Sequence, residues 1–138
     1  MDYFSSESLD SLNKIYRINL INSITGYKSA NLLGSVSNKG IENVAVFSSI
    51  THLGSNPALL SFFVRPNVVP RNTYKNIKEK KVFTVNHIIK EKIEDAHHTS
   101  AKYDEDISEF DKTNLQSEYK KKWEAPFVKD SAVQLGCK

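Results

Sequence analysis

The chain has 138 residues, 39% hydrophobic and 25% charged, the balance of one soluble-type domain with a genuine core. Its net charge of +3 tolerates a phosphate-bearing ligand but is too weak to argue for nucleic acid, and no apolar run approaches the ~20 residues that cross a bilayer. The single cysteine, Cys137, excludes an internal disulfide and points to a reducing cytoplasm.

The opening residues, MDYFSSESLDSL, are acidic and polar, the wrong composition for a signal peptide. Residues 5–16 (SSESLDSLNKIY) read as a short helix capped by Ser5 or Ser6. Residues 17–26 read as extended and end in a turn at Gly26. Residues 29–37 (SANLLGSVS) form a strand, and Asn38-Lys39-Gly40 a hairpin turn in which Gly40 takes positive φ. Residues 41–49 return antiparallel, with Val44 and Val46 on one side and Ala45 and Phe47 on the other. An Asn56-Pro57 turn leads to a third apolar strand over residues 58–64.

Pro66 and Pro70 bracket a loop that cannot be helical. Asn72 caps a helix beginning at Thr73 (TYKNIKEKK), whose Lys78, Lys80 and Lys81 suit the negative end of the helix dipole. Residues 82–89 (VFTVNHII) are a strand. Residues 90–99 are helical, with Ile93 and Ala96 inward. A second short helix near residues 107–113 buries Ile107 and Phe110 at i, i+3 spacing. Residues 131–138 form a last strand. The order predicts a mainly β fold, an antiparallel barrel with peripheral short helices. A doubly wound parallel sheet fits poorly, because residues 29–64 leave no room for crossover helices.

Residues 44–73 (VAVFSSITHLGSNPALLSFFVRPNVVPRNT) carry the chemistry. Hydroxyl side chains cluster where one apolar strand ends, at Ser48, Ser49 and Thr51, and basic residues close the next, at Arg65 and Arg71. Donors and cations at strand ends suit a planar, phosphorylated ligand. Arg71, Asn72 and Thr73 offer a cation and donors at a helix start, which is where phosphate binds well. The plainer reading is that Asn72 only caps the helix, that Arg71 is solvated, and that the serine pair is a solvent-facing strand end. His97 and His98 are adjacent on a helix and diverge, so a shared metal is not expected. Trp123 beside Lys120, Lys121 and Lys122 reads as a packed surface residue, since Glu118 and Glu124 interrupt the basic run. No Walker loop, nucleophile elbow or dinucleotide glycine fingerprint is present.

Four segments in order resemble the flavin reductase-like, FMN-binding split-barrel family. They are NVAVFSSITHLGSNPALLSFFV, RNTYKNIKEKKVFTVNHI, HTSAKYDEDISEFDKTNL and EAPFVKDSAVQLGCK. The resemblance covers residues 16–138 and implies a single domain of the split-barrel type. The chain departs from the family pattern in places. Val46 stands where a proline is frequent, Asn56-Pro57-Ala58 replaces Asp-Pro-Pro, and Gly26-Tyr27-Lys28-Ser29 replaces an Arg-Pro element near the flavin. Family members also continue for several strands past the segment like AVQLGCK, so the resemblance implies a shortened barrel with open edges.

The resemblance implies FMN as cofactor, with NAD(P)H as a transient hydride donor and a small-molecule redox acceptor. Phe47, Ser48, Ser49, Ile50 and Thr51 would hold the ring, and Arg71, Asn72 and Thr73 the phosphate. Arg65 would reach the phosphate or the N1–C2=O region, or else form a surface ion pair. His98 and Ser100 would border the flavin pocket or a subunit contact, or else end a surface helix. The family also implies a homodimer, with no nucleic-acid or membrane partner. The alternative from a different class is a flavin carrier without turnover. A small basic barrel binding single-stranded nucleic acid is the third reading, and it predicts steep salt dependence.

Overall fold

A computed structural model describes residues 3–65 and 71–138, so the expected loop between Pro66 and Pro70 lies outside the described residues. The N-terminal segment forms two helices. Ser5 caps α1 (Ser6–Ser11) by accepting the Ser8 N–H at 3.2 Å, and Asn13 caps α2 (Lys14–Ser23) by accepting the Ile15 N–H at 2.9 Å. This corrects two expectations. The single helix over residues 5–16 is broken at Leu12 and Asn13, and residues 17–26 are helical through Ser23. The β-branched Ile18 and Ile21 suit a strand, but a fresh cap at Asn13 nucleates a helix that they then join. The turn at Gly26 is present, with φ 78°.

Four antiparallel strands make the main sheet in the order β2-β1-β5-β8: β1 (Asn31–Val36), β2 (Glu42–Phe47), β5 (Phe83–His87) and β8 (Gln134–Cys137). The β1–β2 turn is closed by Gly40 at φ 80°, as its sequence required. In β1, Gly34 lets the chain from Ala125 to Val128 come close. A Cβ there would run into the Pro126 carbonyl and the Thr84 hydroxyl.

The two faces of the sheet are dressed differently. One face presents Leu32, Val44 and Val46 to Ala96, Phe110, Leu115 and Val128. It is covered by α4 (Ile93–His98), the 3-10 turn Glu109–Lys112 and a two-stranded ribbon of β6 (Ser117–Glu118) and β7 (Phe127–Val128). Ala96 points inward as expected, but Ile93 is 57% exposed. The segment opens with a 3-10 turn, Lys90–Lys92, whose tighter winding rotates Ile93 off the inner side. Phe110 is buried, while Ile107 precedes its turn and is only half-buried.

The opposite face carries α3 (Asn72–Lys80), where Thr73 and Asn76 are buried against Asn43 and Ser35. The N-cap of α3 is Arg71, which corrects the assignment of Asn72 to that place. Asn72 sits in the first helical turn, and Arg71 has no side-chain acceptor to offer the helix amides. Lys78 and Lys80 do lie in the last turn.

β3 (Thr51–Ser55) and β4 (Ala58–Ser61) form a separate hairpin around the cis Asn56–Pro57 peptide. The expected apolar strand is therefore shorter than residues 58–64. It pairs with the segment just before it, because a two-residue turn returns the chain directly onto β3. Leu59 and Leu60 are exposed.

Candidate functional site

β2 positions the site. Its N–H groups alternate in direction, and those of Val44 and Val46 point out from the sheet edge. Val44 donates to Glu109 Oε2 at 3.1 Å, and Val46 donates to Thr99 Oγ1 at 2.9 Å. Two side chains thus occupy an edge that would otherwise invite another strand. Ser48, exposed, comes next in that alternation, where the strand ends. Burial pushes the Glu109 carboxyl above its ordinary range, opposed by its hydrogen bonds to backbone N–H groups including that of Val44.

Beyond Phe47 the chain turns sharply. Ser49 Oγ donates to the Phe63 carbonyl and accepts the Phe63 N–H, both at 3.1 Å. Its hydroxyl is spent on closing the base of the β3–β4 hairpin. Ile50 is half-buried, and Thr51 is exposed and paired with Ser61 as the first residue of β3. Phe47, Phe62 and Phe83 stack edge-to-face in a row, each neighbouring pair 5.4 Å apart. An aromatic wall therefore stands beside the serine cluster.

The basic corner lies on the same sheet face. Asn43, Ala45 and Phe47 alternate onto one side of β2, and Asn43 Nδ2 donates to Thr73 Oγ1 at 3.0 Å. Thr73 therefore points inward and pins the start of α3 to β2. Four residues of extended strand put Phe47 about 13 Å from Asn43. Arg71, exposed at the head of α3, and the uncapped amides behind it supply positive charge and N–H donors. Asn72 faces a groove by the β1–β2 turn with Lys75, Glu79 and Glu105. Arg65 is exposed, two residues past the Phe63 backbone that Ser49 holds.

His98 and Ser100 are placed less directly. Thr99, between them, binds the edge of β2, so the end of α4 sits beside the strand that leads to Ser48. His98 itself lines a polar cavity of about 430 Å³ with Glu94, Asp95, Asp111 and Asn114. Ser100 Oγ donates to the His97 carbonyl at 2.7 Å. Two positions that hold the site together escaped the sequence reading, Asn43 and Glu109, and Thr99 stood out only as part of a polar cluster, without its bond to the β2 edge. Asn43 could have been found from alternation, since it shares the side of Phe47. Glu109 looked like one more charge in an acidic run, and nothing local marked it as buried.

A flavin mononucleotide fits this donor set. It needs hydrogen-bond donors for ring carbonyls and cations with N–H groups for its phosphate, and the turn after Phe47 and the head of α3 are of these two kinds. An isoalloxazine ring with its ribityl phosphate is long enough to span them. Among the described residues no three metal-capable side chains stand together, and no helix is long and apolar enough to cross a membrane. Trp123 packs flat on Gly136 and donates to the Phe83 carbonyl at 3.3 Å, a structural role. Burial holds the Cys137 thiol above its ordinary pKa.

Comparison with known proteins is consistent with this geometry. The flavin reductase like domain matches residues 26–138. An uncharacterised protein of Aquifex aeolicus (strain VF5) is 31% identical over 108 residues, 77% of this chain and 55% of its own length. The chain thus spans about half the length of that relative. The crystal structure of a candidate flavin reductase with a split barrel domain from Shewanella frigidimarina NCIMB 400 is similar at 41% identity and TM-score 0.92. That likeness covers 99% of this chain, the N-terminal helices included, and 67% of the other. The FMN-binding domain of a flavin reductase-like enzyme from Shewanella baltica OS155 shares the fold at 19% identity and TM-score 0.69, over 80% of this chain and 56% of that one.

Proposed function

Because the chain belongs to the flavin reductase-like domain family, we propose that it is an FMN-binding oxidoreductase that takes hydride from NAD(P)H and passes electrons to a small-molecule acceptor. The proposal extends to one flavin-binding domain per chain, a homodimer, and a cytoplasmic setting that suits the lone Cys137. The observation that carries it is the shared face of the sheet. Phe47, which leads into the serine-lined turn, and Asn43, which holds the Arg71-headed start of α3 through Thr73, lie on one side of β2, about 13 Å apart along the strand.

When bound, FMN supplies the hydride-accepting ring atom, and the protein supplies placement and electrostatics. Backbone donors from Phe47 to Thr51 orient the ring carbonyls, and Ser49 keeps that turn rigid through Phe63. The Phe47–Phe62–Phe83 wall excludes water from one side. Arg71, with the first amides of α3, neutralises the phosphate, and Thr73 keeps the helix aimed by its bond to Asn43. Arg65 adds positive charge near the ring end, and His98 and Ser100 would reach it only round the β2 edge, to which Thr99 ties the end of α4. No side chain has to act as acid or base for hydride transfer.

The absorbance spectrum of the purified protein, with release and identification of any chromophore, tests the cofactor. Steady-state oxidation of NADH and NADPH with added FMN tests the reaction. Turnover supports an enzyme, whereas flavin retention without turnover converts the reading to a carrier module. No flavin binding at all overturns it.

A further inference from the structure

Among the described residues, two apolar surfaces have no cover. The first is the N-terminal pair of helices. α1 and α2 contain no buried residue, and residues 21–30 are exposed throughout. The pair is nonetheless a built unit. Arg17 Nη1 donates to the carbonyl of Asp10 at 3.1 Å, and Leu9, Leu12 and Leu20 are half-buried. Outward from it stand Ile15 (70% exposed), Tyr16, Ile18, Ile21 and Ile24. They alternate around α2 and its C-cap with Lys14, Arg17, Asn19 and Asn22, so large apolar side chains stand exposed together on this short arm.

The second surface is the β3–β4 hairpin, which exposes Leu53, Leu59, Leu60 and Phe63 (76%). An isolated two-stranded hairpin is at best marginal in water and requires something packed against it. The geometry points to an exchange of arms between two copies of the chain, in which α1 and α2 of one seat on the β3–β4 hairpin of the other. This rests on the homodimer proposed above and names the segments that make it.

Three observations favour a second copy over another occupant. The arm and the hairpin are each apolar and unpartnered in the same chain, so a two-fold arrangement satisfies both at once and closes on itself. The arm carries Glu7 and Asp10 against Lys14 and Arg17, so it is electrically balanced and has no bias toward an anionic lipid or a polyanion. The side chains named expose on the order of 900 Å² per copy, about what each partner contributes to a stable interface and more than a monomer leaves open.

The test uses the full chain with Cys137→Ser to remove the native thiol. Chains carrying Ile18→Cys are mixed with chains carrying Leu60→Cys under mild oxidation. The mixture is expected to give a disulfide-linked dimer at least about tenfold more abundantly than either variant alone. Separately, Ile21→Glu and Leu59→Glu are each expected to raise the dimer dissociation constant at least about tenfold in sedimentation, with circular dichroism unchanged. Both sites are on the surface, so folding is not at stake. A chain that stays monomeric at tens of micromolar overturns the homodimer and the exchange together. A dimer that ignores both substitutions and gives no mixed crosslink overturns the exchange alone. An intramolecular disulfide in a chain bearing both cysteines, with no covalent dimer, shows that the arm folds onto its own hairpin and also overturns it.

Discussion

The sheet body and the two segments flanking it distribute polarity in opposite ways. In the body, polar side chains lie inside and all are bonded. Asn86 Nδ2 donates to the Leu32 carbonyl at 3.1 Å and to Thr84 Oγ1 at 2.9 Å, its Oδ1 accepts the Val128 N–H at 3.0 Å, and Thr84 donates to the Pro126 carbonyl at 2.6 Å. In the N-terminal arm and the β3–β4 hairpin, isoleucine, leucine and phenylalanine lie outside. The body is therefore specified by its own chain, because each buried polar group has a unique partner there. The arm and hairpin are specified only when something else packs on them.

That contrast can be broken by paired substitutions. Leu33 in β1 is fully buried, and Leu33→Ala is expected to cost about 3 kcal/mol in chemical denaturation. Asn86→Leu removes the acceptor of the Val128 N–H inside the body, and should cost about 2 kcal/mol by the same measurement. Glu109→Gln keeps an acceptor for the Val44 N–H but removes a buried charge. The folded carboxyl binds its proton more tightly than the unfolded one, so native stability falls as pH rises from the ordinary 4.5 through the raised folded value. The glutamine variant should lose that pH slope and match or exceed the parent by up to about 1 kcal/mol at neutral pH. Leu60→Ala in the hairpin should change the stability of the monomer by less than about 0.5 kcal/mol, and act on dimer dissociation instead. A cost for Leu60→Ala in the monomer as large as that of Leu33→Ala would erase the distinction between the regions.

Much of the body was legible because its signals are local. The Asn38-Lys39-Gly40 turn fixed the β1–β2 hairpin, and the β-branched run VFTVNHII fixed β5. The helix after Arg71 was legible too, though its cap was displaced by one residue because Arg71, and not Asn72, takes the extended backbone. The first half of the N-terminal arm was legible through its Ser5 cap, but the second was not, since residues 17–26 read as extended and become helical through the Asn13 cap. The exposure of Leu59 and Leu60 was invisible for a deeper reason: an apolar run says that burial is wanted, and not which chain provides it. Within the candidate site, the serine cluster and Arg71 were singled out from residue type. Asn43, Glu109 and the strand-edge role of Thr99 were not, because they come from contacts 30 to 65 residues away in sequence.

The central claim is that one face of the sheet grips a flavin at both ends, with the phosphate at the head of α3. Titration of the protein with FMN and with riboflavin, followed by flavin fluorescence, tests it most directly. The account predicts that FMN binds at least about tenfold more tightly, in keeping with charge-assisted hydrogen bonds to a phosphate. It also predicts that Arg71→Ala closes most of that gap while leaving riboflavin binding unchanged. Equal affinity for the two flavins, or a gap untouched by Arg71→Ala, would contradict it.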